Sequence, residues 1–324
     1  MTRLIAMTAA GGPEVLSLCQ VDLPPPAPGE VRLRQTAIGV NFVDIYHRTG
    51  LYPVPELPTA LGVEGAGIVE ALGDGVSGLA LGDRVAYAGL PVGGYAAARN
   101  IPASRLVALP EGIDDRAAAA AMLRGVTAHM LLNRVYPVAA GTVVLVHAAA
   151  GGLGMLLTQW ARALGATVIG TVGSEAKAAQ ARALGLDHAI LYRTQDFVAE
   201  VRRLTGGRGV DVAYDGIGGD TLLRTLDAVR PFGTVASIGQ AAGTLPQIPL
   251  SEIGPRRSLA LARPSVFGYA NDPTAYHAAA EAVFARIADG MRVTIGAEFD
   301  LAEAAEAQRQ LEAGTTTGSV LLHP

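Results

Sequence analysis

The segment from Thr142 to Lys177 constrains the fold of this chain more than any other. It opens on an apolar run, Thr142 to His147, that reads as a fully buried strand. Ala148-Ala149-Ala150-Gly151-Gly152-Leu153-Gly154 follows at once, then helical periodicity from Met155 to Leu164 and a second buried strand from Ala166 to Val172. A strand, a tight turn, a helix and a second strand in that order predict one unit of a doubly wound parallel α/β sheet. The turn carries the pattern Ala149-x-Gly151-x-x-Gly154, with alanine in the first glycine position. Small residues let the backbone approach a pyrophosphate, and the helix N-terminus offers unpaired N–H groups and a partial positive charge. A glycine-rich turn also arises for purely steric reasons. Its place between a strand and a helix marks this one as a dinucleotide site, with Ala149, Gly151, Gly152, Leu153 and Gly154 as contacts.

The second strand of the unit bears on which dinucleotide is bound. NAD sites usually carry Asp or Glu about 20 residues past the fingerprint, on the ribose 2′-hydroxyl. Here the strand ends in Thr171-Val172-Gly173-Ser174, without an acid at its tip. Ser174 can cap the next helix, and Lys177, the only lysine of the chain, falls at its third position. A cation there is opposed by the helix dipole, by about 0.3–1 kcal/mol when exposed, and a bound phosphate reverses that sign. Gly173, Ser174 and Lys177 therefore point to a 2′-phosphate and to NADPH, with Tyr192 and Arg193 after the third strand closing the pocket. The alternative leaves Lys177 solvated and gives the ribose hydroxyls to Glu175.

Composition narrows the class. The 324 residues are half hydrophobic, enough for two domains and an ample core. A net charge of −4 without a basic run argues against nucleic acid as a partner. The lone Cys19 excludes an internal disulfide and a cysteine-rich metal site. Met1 to Ala10 reads as an edge strand, not a signal peptide, and the absence of a long uninterrupted apolar stretch predicts no membrane span. A cytoplasmic protein is expected.

Before residue 125 short apolar runs are broken by glycine and proline, as in an all-β unit; Val31 to Ala37 alternates like a half-buried strand. From Gly125 to about Leu259 strands alternate with helices, with strands at Val210–Asp215 and Gly233–Gly239 around a helix at Asp220–Val229. After Pro264 come a long helix (Thr274 to Asp289), a run at Ala297–Leu301, a helix at Ala302–Glu312 and a final strand, too few for a domain. The expected division is 1–124 with 264–324 as one domain and 125–263 as the other.

Four motifs carry a family resemblance over essentially the whole chain: Ala37 to Tyr46, Leu61 to Gly67, His147 to Gly154, and Thr315-Thr316-Thr317-Gly318. The chain resembles the medium-chain dehydrogenase/reductase superfamily, in its zinc-free, zeta-crystallin-like quinone oxidoreductase branch. The resemblance implies a Rossmann domain joined to a GroES-like, mainly β catalytic domain. Zinc-dependent members place a cysteine where this chain has Asn41 and Gly-His-Glu where it has Gly62-Val63-Glu64, so no metal is expected. Without a Lewis acid the substrate must already be electrophilic: a quinone, or an enone conjugated to a carbonyl.

What the family implies for individual residues follows by position. Asn41 orients substrate or ribose, Tyr46 or Tyr52 donates a proton or hydrogen bond to the reduced oxygen, and Arg263 stabilises that charge or the cofactor. Asp44 belongs to the same polar segment, with a buried Asp44–Arg263 ion pair as the alternative. Thr127, Gly239, Gln240, Ser265 and Phe267 border the nicotinamide half of the cofactor. Two positions depart from the family: Gly216 replaces a usual serine, and Ser319 a common basic residue. The resemblance implies an NADPH:quinone oxidoreductase that forms a homodimer through a sixth strand, Ser258–Ala262. An alkenal, enone or enoyl-thioester reductase and a non-enzymatic, crystallin-like NADPH-binding protein are the alternatives.

Overall fold

The computed structural model describes Met1–Pro324 and divides into two compact units, Met1–Val126 with Ala270–Pro324, and Thr127–Tyr269. The first unit begins with β1 (Thr2–Met7), β2 (Leu16–Val21) and β3 (Glu30–Val40), the short helix α1 (Phe42–Arg48), and β4 (Thr59–Ala60). It continues through β5 (Glu64–Leu72), β6 (Arg84–Ala88), β7 (Ala98–Pro102) and β8 (Val107–Ala108) into helix α2 (Asp115–Met130). The second unit runs β9 (Val143–Val146), α3 (Gly152–Ala163), β10 (Thr167–Val172), α4 (Glu175–Arg182), β11 (His188–Leu191) and α5 (Phe197–Leu204). There follow β12 (Val210–Asp215), α6 (Gly219–Ala228), β13 (Val229–Ser237), α7 (Leu250–Ile253), β14 (Ala260–Ala262) and α8 (Val266–Ala270). The chain closes with α9 (Pro273–Ala288), β15 (Ile295–Asp300), α10 (Ala304–Glu312) and β16 (Ser319–His323) in the first unit. Residues 125 and 126 thus cluster with the first unit, and residues 264–269 with the second.

In the second unit six strands lie parallel in the order β11-β10-β9-β12-β13-β14. The fold class expected from the alternation of strands and helices is the one observed. Leu145, Ile169, Ile190, Val210, Ala213 and Val235 from these strands pack with Leu222 and Leu226 of α6 and Val201 of α5. Strands buried on both faces read as unbroken apolar runs, which is why they were legible. The chain reverses its winding between β9 and β12, and ligands of such sheets bind outside the carboxyl ends of the strands at that point.

In the first unit a seven-stranded sheet follows the order β15-β16-β3-β5-β6-β8, with β7 also on β3. The strand expected to end at Ala37 continues to Val40. Beyond Thr36 it is flanked by β5 and β16, so alternation gives way to full burial. That extension delivers Asn41 directly to the start of α1. A second correction concerns the N-terminus: β1 is the middle strand of a three-stranded sheet, β2-β1-β4, not an edge, and its Ile5 and Met7 are buried. Ile5 and Met7 share a core cluster with Ile38, Val40, Leu301 and Val320, which ties the closing elements to the first unit. No helix is long and apolar enough to cross a membrane.

Leu145, on the central strand β9, is fully buried. Leu145→Ala is expected to lower unfolding stability by about 2–5 kcal/mol, measured as a lower denaturant midpoint with an unchanged slope.

Candidate active site

At the carboxyl end of β9 the chain turns through Ala148, which adopts a left-handed φ of 52°, and enters α3. The N-cap of α3 is Gly151, which brings no side chain to the helix end, and no acidic residue lies in the first turn. A Cβ at Gly154 would strike the Ala148 carbonyl oxygen, so this turn admits only glycine in its present path. Alanine in the first fingerprint position has a local explanation. Ala149 is buried, and a Cβ at Gly170 on the neighbouring β10 would lie 2.5 Å from the Ala149 methyl. The methyl group of Ala149 fills the space that Gly170 leaves.

Beyond β10, Ser174 caps α4, its Oγ accepting the Lys177 N–H at 3.3 Å. A Cβ at Gly173 would meet the Tyr192 hydroxyl at 3.0 Å and the Arg193 Nε at 3.5 Å. Gly173, Ser174, Lys177, Tyr192 and Arg193 are therefore gathered at the ends of β10 and β11. Glu175 is engaged by Arg182 at 2.5 Å, which argues against its service as the ribose acceptor. This donor-rich rim, together with the uncapped glycine turn, fits the phosphates of NADPH.

At the end of β13, Arg263 donates to the Ser237 carbonyl and hydroxyl, each at 3.1 Å, to the Gly239 carbonyl at 3.3 Å and to Gln240 Oε1 at 3.3 Å. It staples the loop that carries Gly239 and Gln240. A Cβ at Gly239 would sit 2.7 Å from the Gly216 carbonyl oxygen, so two turns approach closely here. At Gly216 itself a Cβ would meet only Ile238, at 3.8 Å, so the residue that departs from the family is not required by crowding. Ser265 accepts the Gly268 N–H at 3.2 Å at the start of α8, which also carries Phe267, and Thr127 lies on α2 one turn beyond Leu123.

In the first unit the polar segment at the start of α1 is more buried than its residue types suggest. Asp44 closes a capping box with Asn41, its Oδ2 accepting the Asn41 N–H at 2.8 Å and the Tyr95 hydroxyl at 3.0 Å. No buried ion pair is built on it: Asp44 is held by these neutral donors, and Arg263 by the loop it staples. Burial raises the Asp44 carboxyl from its ordinary 3.8 to about 7. The Asn41 amide is anchored from the protein side, its Nδ2 donating to Glu64 Oε2 at 2.7 Å. Tyr46 packs its ring against Phe42 at 5.6 Å and edge-on against Tyr52 at 5.2 Å. The two tyrosines form one aromatic corner, with Tyr52 less buried than Tyr46.

Glu64, Arg124, Tyr95 and Gln308, which sequence reasoning did not assign to the site, hold the Asn41–Asp44 segment in place. Glu64, fully buried, accepts from Asn41, from Arg124 Nη1 at 3.1 Å and from the Leu123 N–H at 2.7 Å. Tyr95 binds Asp44 and accepts from Gln308 at 3.3 Å. The available signal was a charged residue without polar neighbours: Glu64 in a glycine-rich apolar strand, and Arg124 after a run of alanines. His147 is fixed between Thr171 at 3.0 Å and Thr225 at 2.9 Å. Ser319 is buried and donates to the Ala120 carbonyl at 2.8 Å, a place that suits a small hydroxyl and not a phosphate-binding cation.

A catalytic zinc ion does not fit these residues. Position 63 is a buried valine, the Asn41 amide nitrogen is a donor and not a ligand, and the Glu64 oxygens are engaged by three donors.

The alcohol dehydrogenase GroES-like domain model matches residues 27–111, and the zinc-binding dehydrogenase model matches residues 152–284. The chain is 44% identical to a quinone oxidoreductase of Pseudomonas aeruginosa over 100% of both chains. It is also 44% identical to a 2-haloacrylate reductase of a Burkholderia species, over 97% of this chain and 96% of that one. The crystal structure of Escherichia coli quinone oxidoreductase complexed with NADPH superimposes with a TM-score of 0.97 at 40% identity, covering 99% of this chain and 100% of that one.

A carboxyl whose pKa is raised by folding stabilises the protein fully below its unfolded value and loses that contribution as pH rises through the folded one. Asp44 should therefore make stability fall between pH 3.8 and about 7, with a slope of up to about 1.4 kcal/mol per pH unit. Asp44→Asn keeps an acceptor for Tyr95 and is expected to flatten that decline in denaturant titrations across the range.

Proposed function

The chain belongs to the quinone oxidoreductase family of the medium-chain dehydrogenase/reductase superfamily, and from that membership we propose that it is an NADPH:quinone oxidoreductase working without a metal ion. The observation that carries the reaction class is the chemistry at positions 41, 63 and 64, where no donor set for a Lewis acid exists. An acceptor reduced here must itself be electron-poor, as quinones are.

NADPH, when bound, supplies hydride from C4 of its nicotinamide. The chain's own residues bind and orient. The N–H groups at the start of α3 take the pyrophosphate, and Ser174, Lys177, Tyr192 and Arg193 take the 2′-phosphate. Arg263 keeps Gly239 and Gln240 in line for the nicotinamide ribose, with Thr127, Ser265 and Phe267 toward the carboxamide. Negative charge develops on the acceptor oxygen, and the hydroxyls of Tyr46 and Tyr52 are the donors offered to it. Proton delivery runs from water through this tyrosine corner.

A second reading, NADPH-dependent reduction of an electron-poor carbon–carbon double bond, is favoured by the likeness to the 2-haloacrylate reductase. It uses the same hydride geometry. We also propose a cytoplasmic homodimer: β14 is an edge strand with a partly exposed Leu261, and a second copy would continue the sheet. Sedimentation should give a dimer at micromolar concentration, and a pure monomer would remove that part.

Scanning 1,4-benzoquinone, 9,10-phenanthrenequinone, an alkenal and crotonyl-CoA for loss of NADPH absorbance is expected to give fastest turnover with the quinones. Preference for the alkenal would favour the second reading. Lys177→Glu should weaken NADPH by roughly tenfold or more while leaving NADH nearly unchanged. Equal loss for both would place the 2′-phosphate elsewhere.

A further inference from the structure

Glu64 is a fully buried carboxylate that holds the start of the helix carrying Tyr46, and nothing in the hydride-transfer scheme uses it directly. All of its hydrogen-bond partners are donors: Asn41 Nδ2 at 2.7 Å, Arg124 Nη1 at 3.1 Å and Leu123 N at 2.7 Å. A proton on either oxygen would face an N–H group, so the arrangement suits the carboxylate. Arg124 makes its remaining bonds to backbone, donating to the Val40 carbonyl at 2.5 Å and the Ala120 carbonyl at 3.3 Å. One carboxylate and one guanidinium thus join the end of β3, the N-cap of α1 and the middle of α2. The fit is tight: a Cβ at Gly39 would strike both Glu64 Oε2 and the Ala119 carbonyl oxygen.

We propose that Glu64 is a positioning residue for reduction of the acceptor: paired with Arg124, it fixes the Asn41 cap of α1 and so aims Tyr46, a little over one helical turn along, at the oxygen that gains charge. The proposal rests on the quinone-reductase reading and adds to it the group that sets the aim. Asn41 is in this view a link between Glu64 and α1. Replacing the carboxylate by an amide of the same shape turns an N–H group toward the donors and frees the cap. Small displacements of a donor cost turnover steeply, whereas the cofactor rim at the ends of β10 and β11 is built from other residues.

The test is a double-mutant cycle on the full chain, read as steady-state turnover of 9,10-phenanthrenequinone, NADPH Kd by equilibrium titration, and thermal midpoint. Glu64→Gln should lower kcat by roughly ten- to a hundredfold with NADPH Kd within about twofold of wild type. Asn41→Ala should cost a similar factor, and the combination no more than either alone, because the two act in series. Losses that multiply, or a folded Glu64→Gln with wild-type kcat, would overturn the proposal. Should Glu64→Gln not fold, Glu64→Gln with Arg124→Met takes its place, since removing both members of a buried pair is often neutral for stability. That variant should fold and stay slow. Full kcat, or failure to fold here too, would make the pair a stability element only and end the positioning role. A wild-type protein that leaves NADPH unoxidised by every acceptor would overturn the quinone-reductase reading itself, an outcome visible before any variant is made.

Discussion

The buried carboxylate of Glu64 is the point on which the first unit's polar chemistry depends. Taking a carboxylate and a guanidinium out of water costs several kcal/mol each, and only close pairing with further hydrogen bonds offsets it. Glu64 and Arg124 meet that demand with three donors on the acid and two backbone carbonyls on the base. Two physical effects oppose each other at Glu64: burial pushes its pKa up, while Arg124 and the N–H donors hold it down. Burial prevails, so the carboxyl sits above its ordinary value, and Arg124 with the N–H donors limits the rise. The consequence is a rigid join between strand and helix in a region where zinc-dependent relatives of the superfamily use a metal.

In the proposed function the second unit meets a different demand, the close approach of backbone to a polyanion. Its solution is mostly the absence of side chains. Gly151 leaves the helix end uncapped, Gly154 makes room for the Ala148 carbonyl, and Gly170 makes room for the Ala149 methyl. In the proposed function, cofactor choice falls to a few groups at the next two strand ends. Lys177 sits in the first turn of α4, where the dipole disfavours a cation until a phosphate arrives. The same feature that slightly destabilises the empty helix end thereby favours the phosphorylated cofactor.

The two units differed in how much of them could be read from sequence. Parallel strands such as Val143–Val146 and Val210–Asp215 are buried on both faces and announce themselves as apolar runs, and the glycine spacing located the fingerprint. Lost zinc donors were legible too, because residue identity alone settles whether a side chain can ligate. What escaped was side-chain direction. Asn41 and Arg263 carry polar groups suited to a ligand, and the structure adds protein partners for both, Glu64 and the Ser237–Gln240 loop. These partners are distant in sequence and join only through tertiary packing. The continuation of β3 to Val40 and the central place of β1 were missed for a related reason: both depend on pairing with the C-terminal β16 or with β4, which no local pattern encodes.

The central claim is that hydride reaches an electron-poor acceptor with protein donors alone. Its most direct test is the rate of NADPH oxidation by 9,10-phenanthrenequinone after exhaustive dialysis against a zinc chelator, with bound metal quantified in the same sample. The account predicts an unchanged rate at negligible metal content. A rate that collapses on chelation and returns with stoichiometric Zn²⁺ would contradict it.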